Sequence, residues 1–181
     1  MQADALKLVA ILPPESIADR VRQEQQYIAL HFGPKHALRT PPHITLIPPL
    51  PVTPAETSLL STLAEKISHR CKPFPLQLDG FGAFTPRVIY IHSHASPALE
   101  ELHKLWRSEL MQQMPHLLAK YPERPYYPHM TLAHRDVTPE QFRKIWAHYS
   151  EQKFHASFEV DRFWVLRHTQ KGWDKDYMVL L

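Results

Sequence analysis

The sequence contains little of what holds small secreted proteins together or anchors proteins in membranes. Its 181 residues include one cysteine, Cys71, so no disulfide can form within the chain. No apolar run approaches the roughly 20 residues that a membrane-spanning helix needs, and no charged-then-apolar leader opens the chain. We therefore expect a cytoplasmic protein that makes no contact with a membrane.

Charge of one sign and glycine are also scarce. The formal net charge is only +3, which excludes the dense lysine and arginine stripe of a dedicated nucleic-acid-binding domain and leaves at most a local positive patch. Four glycines stand against 18 prolines. Because proline fixes φ and lacks a backbone donor, its clustering at the margins of apolar segments predicts rigid loops around a core of ordinary size.

Apolar patterning predicts a regular succession of strands and helices. Three helices are expected to start at a serine or threonine followed by proline, namely at Thr53, Ser96 and Thr138. A turn is predicted through Gly80-Phe81-Gly82, and the tail should form two strands joined around Lys171-Gly172. The predicted strands are 5–14, 43–50, 74–79, 87–92, 128–134, 154–166 and 177–181, and the predicted helices are 15–29, 53–68, 96–117 and 138–148.

One phrase, Pro-His-apolar-Thr-Leu, occurs twice, at residues 42–46 and 128–132. The order strand-helix-strand-helix-strand also occurs twice, with one copy of the phrase in each half. This pattern indicates a weak internal duplication. Since no linker rich in glycine or serine separates the halves, residues 1–181 are predicted to form a single two-lobed domain.

Each copy of the phrase places a histidine and a threonine on one face of a strand, because side chains alternate with a period of two. His43 lies beside Thr45, and His129 beside Thr131. If the halves pack about a pseudo-two-fold axis, both pairs meet in a shared cleft. Two imidazoles can then supply a general base and a general acid near neutral pH, and two hydroxyls can hold the oxygens of a phosphodiester. This chemistry requires no metal and no other cofactor.

Four further residues are candidates for substrate binding. Arg135 would share the face of His129 by strand parity and could reach a substrate phosphate, or it could simply face solvent at the end of the strand. Tyr126, Tyr127 and Phe84 could stack on a base or serve as packing elements beside proline.

The other histidines do not share the repeated pattern. His92 and His94 form a His-x-His that could hold a metal ion from one strand face. No acidic or cysteine partner follows at ligand spacing, so no metal site is predicted. His168 is expected in a loop, and surface positions are expected for His31, His36, His69, His103, His116, His148 and His155.

The two motifs resemble the signature of the two-histidine phosphoesterase superfamily, and within it the chain is most similar to 2′-5′ RNA ligase-like proteins and RNA 2′,3′-cyclic phosphodiesterases. The similarity spans nearly the whole chain. It extends to LVAILPPESI at residues 8–17, to the segment from 78 to 110, and to FEVDRFWVLRHTQKGWDKDYMVL at 158–180. One departure is His134, where many relatives have an arginine.

The resemblance implies an α+β fold, bilobal and built from duplicated β-α-β-α-β units, with antiparallel sheets lining a central cleft. It further implies metal-free hydrolysis of a 2′,3′-cyclic phosphate to a 2′-phosphomonoester. In that reaction His129 would be the base, His43 the acid, and Thr45 and Thr131 would bind the non-bridging oxygens.

The expected substrate is RNA with a 2′,3′-cyclic phosphate end or a cyclic nucleotide. Two alternatives stay open at this point, a 2′-5′ RNA ligase activity at the same site and a non-catalytic RNA- or nucleotide-binding module. A monomer is expected because a two-lobed cleft needs no partner subunit.

Overall fold

Local sequence signals define where the helices of this protein begin. In the computed structural model, which describes residues 5–181, Thr53 and Thr138 each form a reciprocal capping box with the residue three positions on, and the Ser96 hydroxyl accepts from the third backbone N–H of its helix. The three predicted helix starts are confirmed. The elements are β1 (Ala5–Ile11), α1 (Glu15–Phe32), β2 (Ile44–Val52), α2 (Pro54–Ser68), β3 (Phe74–Phe84), β4 (Val88–Ser93), α3 (Pro97–Gln113), β5 (His129–Ala133), α4 (Pro139–Tyr149), β6 (His155–Val160), β7 (Arg162–Thr169) and β8 (Gly172–Leu180), with short 3-10 turns at His36–Arg39 and Pro115–Leu118.

The eight strands form one antiparallel sheet in the order β6-β3-β4-β5-β2-β1-β7-β8. The sheet divides at its centre into two groups of four strands, and the two motif strands, β5 and β2, lie next to each other there. The α+β class and the antiparallel pairing are confirmed.

A pseudo-two-fold relation connects the two groups of strands. Helix α1 follows β1 in the chain but packs against β5, and α3 follows β4 but packs against β2. Each helix therefore crosses to the opposite group and ties the groups together. Each group contains strands from both halves of the sequence, because β3 pairs with β4 and β6, while β7 pairs with β1.

Several of the predicted strand boundaries are wrong; β1 ends at Ile11 rather than at residue 14, and β8 begins at Gly172 rather than at residue 177. No turn occurs at Gly80-Phe81-Gly82, since β3 continues to Phe84 through a bulge in which Gly80 has φ 70°. The predicted strand 154–166 is divided at Asp161, and its parts β6 and β7 pair at opposite ends of the sheet. A break of one residue leaves the apolar alternation intact, so only the tertiary pairing separates the two strands. His168 accordingly lies in β7 rather than in a loop.

Strand β2 contains Pro48, Pro49 and Pro51, which a central strand would not tolerate. Two features accommodate them. Pro48 and Pro49 fall in an irregular stretch of the pairing with β1, and within residues 5–181 the pairing of β2 with β5 is confined to Ile44 and Met130. The missing N–H groups therefore interrupt little of the hydrogen-bond ladder.

The core lies between the sheet and the four helices, and Val9, Ile11, Ile44 and Met130 all point into it. A smaller apolar cluster on the other face of β1 contains Leu8, Ala10 and Leu166. No helix within residues 5–181 is long and apolar enough to cross a membrane.

Candidate active site

The two motif strands meet at one residue pair, Ile44 opposite Met130 in antiparallel register. Extending this register by one residue in each direction sets His43 opposite Thr131 and Thr45 opposite His129. Ile44 and Met130 are fully buried in the core, so the histidines and threonines project from the other face of the sheet. All four are half-buried. The structure thus brings together the four side chains that the repeated phrase singled out.

Both histidines are held by the same hydrogen bond. His43 Nδ1 lies 2.8 Å from the carbonyl oxygen of Pro41, and His129 Nδ1 lies 2.7 Å from that of Tyr127. A carbonyl oxygen can only accept, so Nδ1 carries the hydrogen in both rings. In the neutral rings each Nε2 therefore has a lone pair that can take a proton, and once protonated the same atom can give that proton up.

Burial lowers the pKa of both imidazoles. For His43 the pKa is lowered further by the charge of nearby His129, while the hydrogen bonds to Pro41 and Tyr127 oppose the shift in each ring. Both rings are consequently neutral at pH 7 when no anion is bound. A bound phosphodiester would favour the protonated form, because an opposite charge raises the pKa of an imidazole.

Side chains bind the backbone carbonyls of both motif threonines. The Tyr126 hydroxyl donates to the Thr45 oxygen, and Gln25 Nε2 donates to the Thr131 oxygen, each at 2.9 Å. Since β2 and β5 share only one residue pair among the described residues, these bonds satisfy carbonyl groups that a longer ladder would otherwise pair. Gln25 lies in helix α1, and Tyr126 lies in the segment that precedes β5. The two bonds therefore tie each motif strand to a different part of the chain.

One face of the Tyr126 ring is covered by another side chain. It stacks on His103 at 4.0 Å with an interplanar angle of 6°, and His103 Nδ1 donates to the Leu46 oxygen at 2.9 Å. Burial keeps the Tyr126 hydroxyl protonated by raising its pKa. The prediction of a surface position for His103 is also wrong, because packing of α3 against β2 half-buries it, and such packing has no signature in the local sequence.

Aromatic rings surround His129. Its ring centroid lies 5.1 Å from that of Phe84 and 5.0 Å from that of Tyr90, and Phe84 lies 6.5 Å from Tyr127. Phe84 and Tyr127 are 38% and 64% exposed, so both remain available to a ligand. Tyr90, which pairs with Thr131, was missed in the sequence, since recognising it requires the register between β4 and β5.

The surroundings of His43 differ from those of His129. His134 lies close enough for the charge of His43 to act on it, and burial, together with the charges of His36, Arg135 and His43, lowers the pKa of His134 to about 4. The rings of His36 and His134 are in edge contact at 4.9 Å. His36 is half-buried rather than on the surface as predicted, because the 3-10 turn that carries it packs against β5.

The parity argument for Arg135 does not hold. Strand β5 ends at Ala133, and Arg135 has a left-handed backbone with φ 60°, so the alternation of faces stops before it. Its side chain is exposed, yet its charge lowers the pKa of both His36 and His134. Arg135 therefore lies at the margin of the site near His43.

His92 and His94 are both exposed on β4 and its end. His94 Nε2 lies 3.5 Å from a carboxylate oxygen of Asp79. Within residues 5–181, no group of three or more histidine, cysteine, aspartate or glutamate side chains is placed to hold a metal ion.

A histidine and a threonine on each of two adjacent antiparallel strands, on an antiparallel α+β scaffold, are the features of the class of two-histidine phosphoesterases. Residues 13–172 match the family described as the 2′-5′ RNA ligase superfamily. The chain belongs to that superfamily.

Similar sequences and structures agree with this placement. Proteins named "Putative phosphoesterase" from Geobacillus kaustophilus and Geobacillus thermodenitrificans are 26% and 24% identical, in each case over 91% of this chain and 88% of the relative. TT0787 of Thermus thermophilus has a similar fold, with a TM-score of 0.71 at 21% identity over 98% of this chain and 97% of that one. Escherichia coli LigT, crystallised with 3′-AMP, gives a TM-score of 0.68 at 21% identity over 98% of both chains.

Proposed function

We propose that this protein is a metal-independent phosphodiesterase that hydrolyses 2′,3′-cyclic phosphates, on RNA ends or nucleotides, to 2′-phosphomonoesters. The observation that carries the proposal is the matched pair of histidines. Each has Nδ1 fixed on a carbonyl and Nε2 free, and each lies opposite a threonine of the other motif strand.

In the proposed reaction His129 Nε2 takes a proton from water, and the water oxygen attacks phosphorus. The bond from phosphorus to the 3′ oxygen breaks, and that oxygen takes a proton from His43 Nε2. The product is a 2′-phosphomonoester with a free 3′ hydroxyl, and the two histidines exchange protonation states overall. The assignment of base and acid rests on the family resemblance, because the hydrogen bonds of the two rings are equivalent.

Electrostatics support this cycle. Both rings start neutral because burial lowers the pKa of each, and the negative phosphodiester stabilises the one proton that the acid needs. The hydroxyls of Thr45 and Thr131 lie beside the rings and can donate to the non-bridging oxygens, on which charge accumulates in the transition state.

The test is hydrolysis of the four nucleoside 2′,3′-cyclic monophosphates in the presence of EDTA, with the product identified as the 2′- or the 3′-phosphate. We expect the 2′-phosphate from the native protein and a large loss of turnover in His43→Ala and in His129→Ala. His69→Ala, at an exposed position at the end of α2, is the matched control. Full activity in both motif variants, or its loss on chelation, would contradict the proposal. Tight RNA binding without turnover would instead favour a binding module.

Joining of RNA through a 2′-5′ bond is a second candidate, favoured by the family to which residues 13–172 match. The same acid and base could catalyse this transfer, with a 5′ hydroxyl in place of water: the 5′ oxygen loses its proton to the base and bonds to phosphorus, and the bond from phosphorus to the 3′ oxygen breaks as that oxygen takes a proton from the acid. Incubating RNA that carries a 2′,3′-cyclic end with and without a 5′-hydroxyl partner separates the two activities. A joined product that is absent without the partner supports ligation, and hydrolysis unaffected by the partner argues against it.

A further inference from the structure

A short segment of residues 39–42, here called the entry segment, connects His43 to a distant part of the chain. It leads from the end of the first 3-10 turn into β2, and its Pro41 carbonyl oxygen lies 2.8 Å from His43 Nδ1. Two of its four residues are prolines, whose φ is fixed. Thr40, which precedes them, has an extended backbone with φ −134° and ψ 136°. The entry segment is therefore stiff, and a displacement at Arg39 also moves the Pro41 oxygen.

The turn between β7 and β8 contacts the start of the entry segment in two ways. Arg39 Nη2 donates to the Gln170 carbonyl oxygen at 3.2 Å. The backbone of Gly172 packs directly against that of Arg39, so that a Cβ atom added to Gly172 would lie 3.0 Å from the Arg39 carbonyl carbon and closer still to its oxygen. Gly172 also has φ 145°, which other residues rarely adopt. Both the close approach and the backbone conformation favour glycine at this position.

A cavity of about 520 Å³ lies between these elements and helix α1. Its lining residues are Arg22, Gln25 and Gln26 of α1, residues 38–41, and residues 171–174 of the turn and β8. Close-packed surroundings would resist a displacement of the entry segment. Because open space borders the segment here, a change in its contact with the turn can shift it.

We infer that the β7–β8 turn positions the His43 ring through the entry segment, and that Gly172 and Arg39 are positioning residues for this histidine. The inference rests on the proposed function, in which His43 is the acid. The contacts lead from Gly172 to the Arg39 backbone, along the stiff segment to the Pro41 oxygen, and from there to Nδ1 of the ring. The position of Nε2 depends on this series, and Nε2 must lie within hydrogen-bond reach of the leaving 3′ oxygen.

The test replaces Gly172 by alanine. The added methyl group of Gly172→Ala displaces Arg39 and with it the Pro41 oxygen. The kcat for a cyclic mononucleotide should fall roughly tenfold, because a small misplacement of a reacting group is costly. The KM should change less, since Thr45 and Thr131 would still bind the phosphate oxygens.

The matched control is Gly80→Ala. Gly80 also has a positive φ, 70°, but among residues 5–181 a Cβ atom added there meets no other segment within 4 Å. The control therefore adds the same methyl group to a glycine of left-handed conformation without displacing a neighbour, and its kcat should remain native. An equal loss of kcat in Gly80→Ala and Gly172→Ala would indicate a general loss of stability and would overturn the inference.

The titration of His43 provides a readout that does not depend on turnover. Burial lowers the pKa of His43, the hydrogen bond to the Pro41 oxygen opposes this shift, and the charge of His129 adds to it. His134 also lies close enough to interact with the ring. Since Gly172→Ala changes neither of these histidines but weakens the hydrogen bond, the pKa of His43 should fall while that of His129 stays as it is.

NMR of the histidine ring protons measures both pKa values, and the spectra of His43→Ala and His129→Ala assign the signals. In the kinetics the same change should move the alkaline limb of the pH profile to lower pH. If no cyclic phosphate is hydrolysed, the proposed function fails, while the NMR titration still decides whether the turn positions His43. An unchanged pKa of His43 in Gly172→Ala, or an equal shift of His129, would overturn the inference.

A milder variant tests the same contact if Gly172→Ala does not fold. Arg39→Met keeps most of the side chain and removes the hydrogen bond to Gln170, so kcat and the pKa of His43 should both fall. Loss of a nearby positive charge alone would raise that pKa, so the direction of the shift separates the two causes. Lys35→Met removes the same charge at an exposed position three residues before the 3-10 turn ends at residue 38 and should leave kcat unchanged. A pKa of His43 that is unchanged or raised in Arg39→Met would overturn the inference.

Discussion

The two motif strands present the same pair of side chains, a histidine and a threonine, in different surroundings. His43 and His129 share the same tautomer and the same kind of carbonyl partner, and the carbonyls of Thr45 and Thr131 are each bound by a side chain at 2.9 Å. Around them the equivalence ends. The pseudo-two-fold relation matches Tyr90, paired with Thr131, to Ala10, paired with Thr45.

Because of this difference, the two sides of the site differ chemically. Phe84 and Tyr90 form an aromatic surface beside His129, while His36, His134 and Arg135 place nitrogen-bearing groups near His43. The proposed reaction needs an acid and a base, and the duplicated motif supplies one histidine for each role. Orientation of the substrate needs unequal surroundings, so that the nucleoside can bind on only one side of the phosphate.

The largest effect is expected from the histidines themselves. His43→Ala and His129→Ala should each lower kcat by roughly 10²–10⁴-fold, as is typical of a general acid or base. Replacing the bridging 3′ oxygen of the substrate by sulfur distinguishes their roles, because a thiolate leaves without protonation. We expect the sulfur substrate to restore turnover in the variant that lacks the acid, His43→Ala, but not in His129→Ala.

Equal restoration in the two variants, or restoration only in His129→Ala, would contradict the assignment of roles. Circular dichroism and thermal unfolding of both proteins, alongside the His69→Ala control, show whether the variants remain folded.

The pH dependence is the next largest effect. Turnover needs one neutral and one protonated imidazole, and burial lowers the pKa of both below the ordinary value of about 6.5. The profile of kcat/KM should therefore be bell-shaped with its maximum below pH 6.5, and above it the rate should fall about tenfold per pH unit as the acid loses its proton. Bound substrate raises the pKa of both rings, so the limbs of the kcat profile should lie at higher pH.

The same profiles assign each limb to one motif. His43→Ala should remove the alkaline limb, and His129→Ala should remove the acidic limb. A maximum of kcat/KM at or above pH 7 in the native protein would mean that burial does not control these groups.

The threonines are expected to contribute less than the histidines. Thr45→Val and Thr131→Val keep the shape of the side chain and remove a hydroxyl that donates to a charged oxygen, a bond worth about 1.5–3 kcal/mol. Each should lower kcat/KM by roughly 10- to 100-fold without moving the pH optimum. If one variant has native activity, the phosphate lies on one side of the pseudo-two-fold axis rather than between the strands. The variant with the lower kcat/KM shows which side.

The smallest effect is expected from the groups that hold the motif strands in position. Tyr126→Phe removes the hydrogen bond to the Thr45 oxygen and keeps the ring on His103, so kcat should fall a few-fold as Thr45 loses its fixed position. Tyr121→Phe is a matched control, because the Tyr121 hydroxyl donates to the Pro49 oxygen of the same strand at 2.9 Å. The free energy of unfolding should be about 1 kcal/mol lower in both variants. Only in Tyr126→Phe should kcat also fall. Equal kinetics in the two variants would refute a positioning role for Tyr126.

Signals within a few residues were sufficient to predict much of this protein. Thr53, Ser96 and Thr138 each start a helix because capping depends on four consecutive residues. Strand alternation alone predicts that His43 shares a strand face with Thr45, and His129 with Thr131. The parity argument for Arg135 failed because it assumed that the strand alternation continues past Ala133, where β5 ends.

Contacts between distant segments could not be predicted in this way. The division of 154–166 into strands at opposite ends of the sheet, the contact of His103 with Leu46, and the bond from Gln25 to Thr131 join residues with no pattern in common. The pairing of β6 with β3 and of β7 with β1 causes the first, and the packing of α3 onto β2 and of α1 onto β5 creates the other two.

The sequence by itself determined the candidate catalytic groups, because strand alternation fixes which side chains share a face, and the repeated phrase shows that two strands carry such a pair. Only the tertiary structure decided how the two faces differ. Whether Tyr90 or Ala10 stands beside a motif threonine, and which turn contacts the entry segment, depend on strand register and helix crossing. Those are set by the packing of the whole core rather than by any short stretch of the chain.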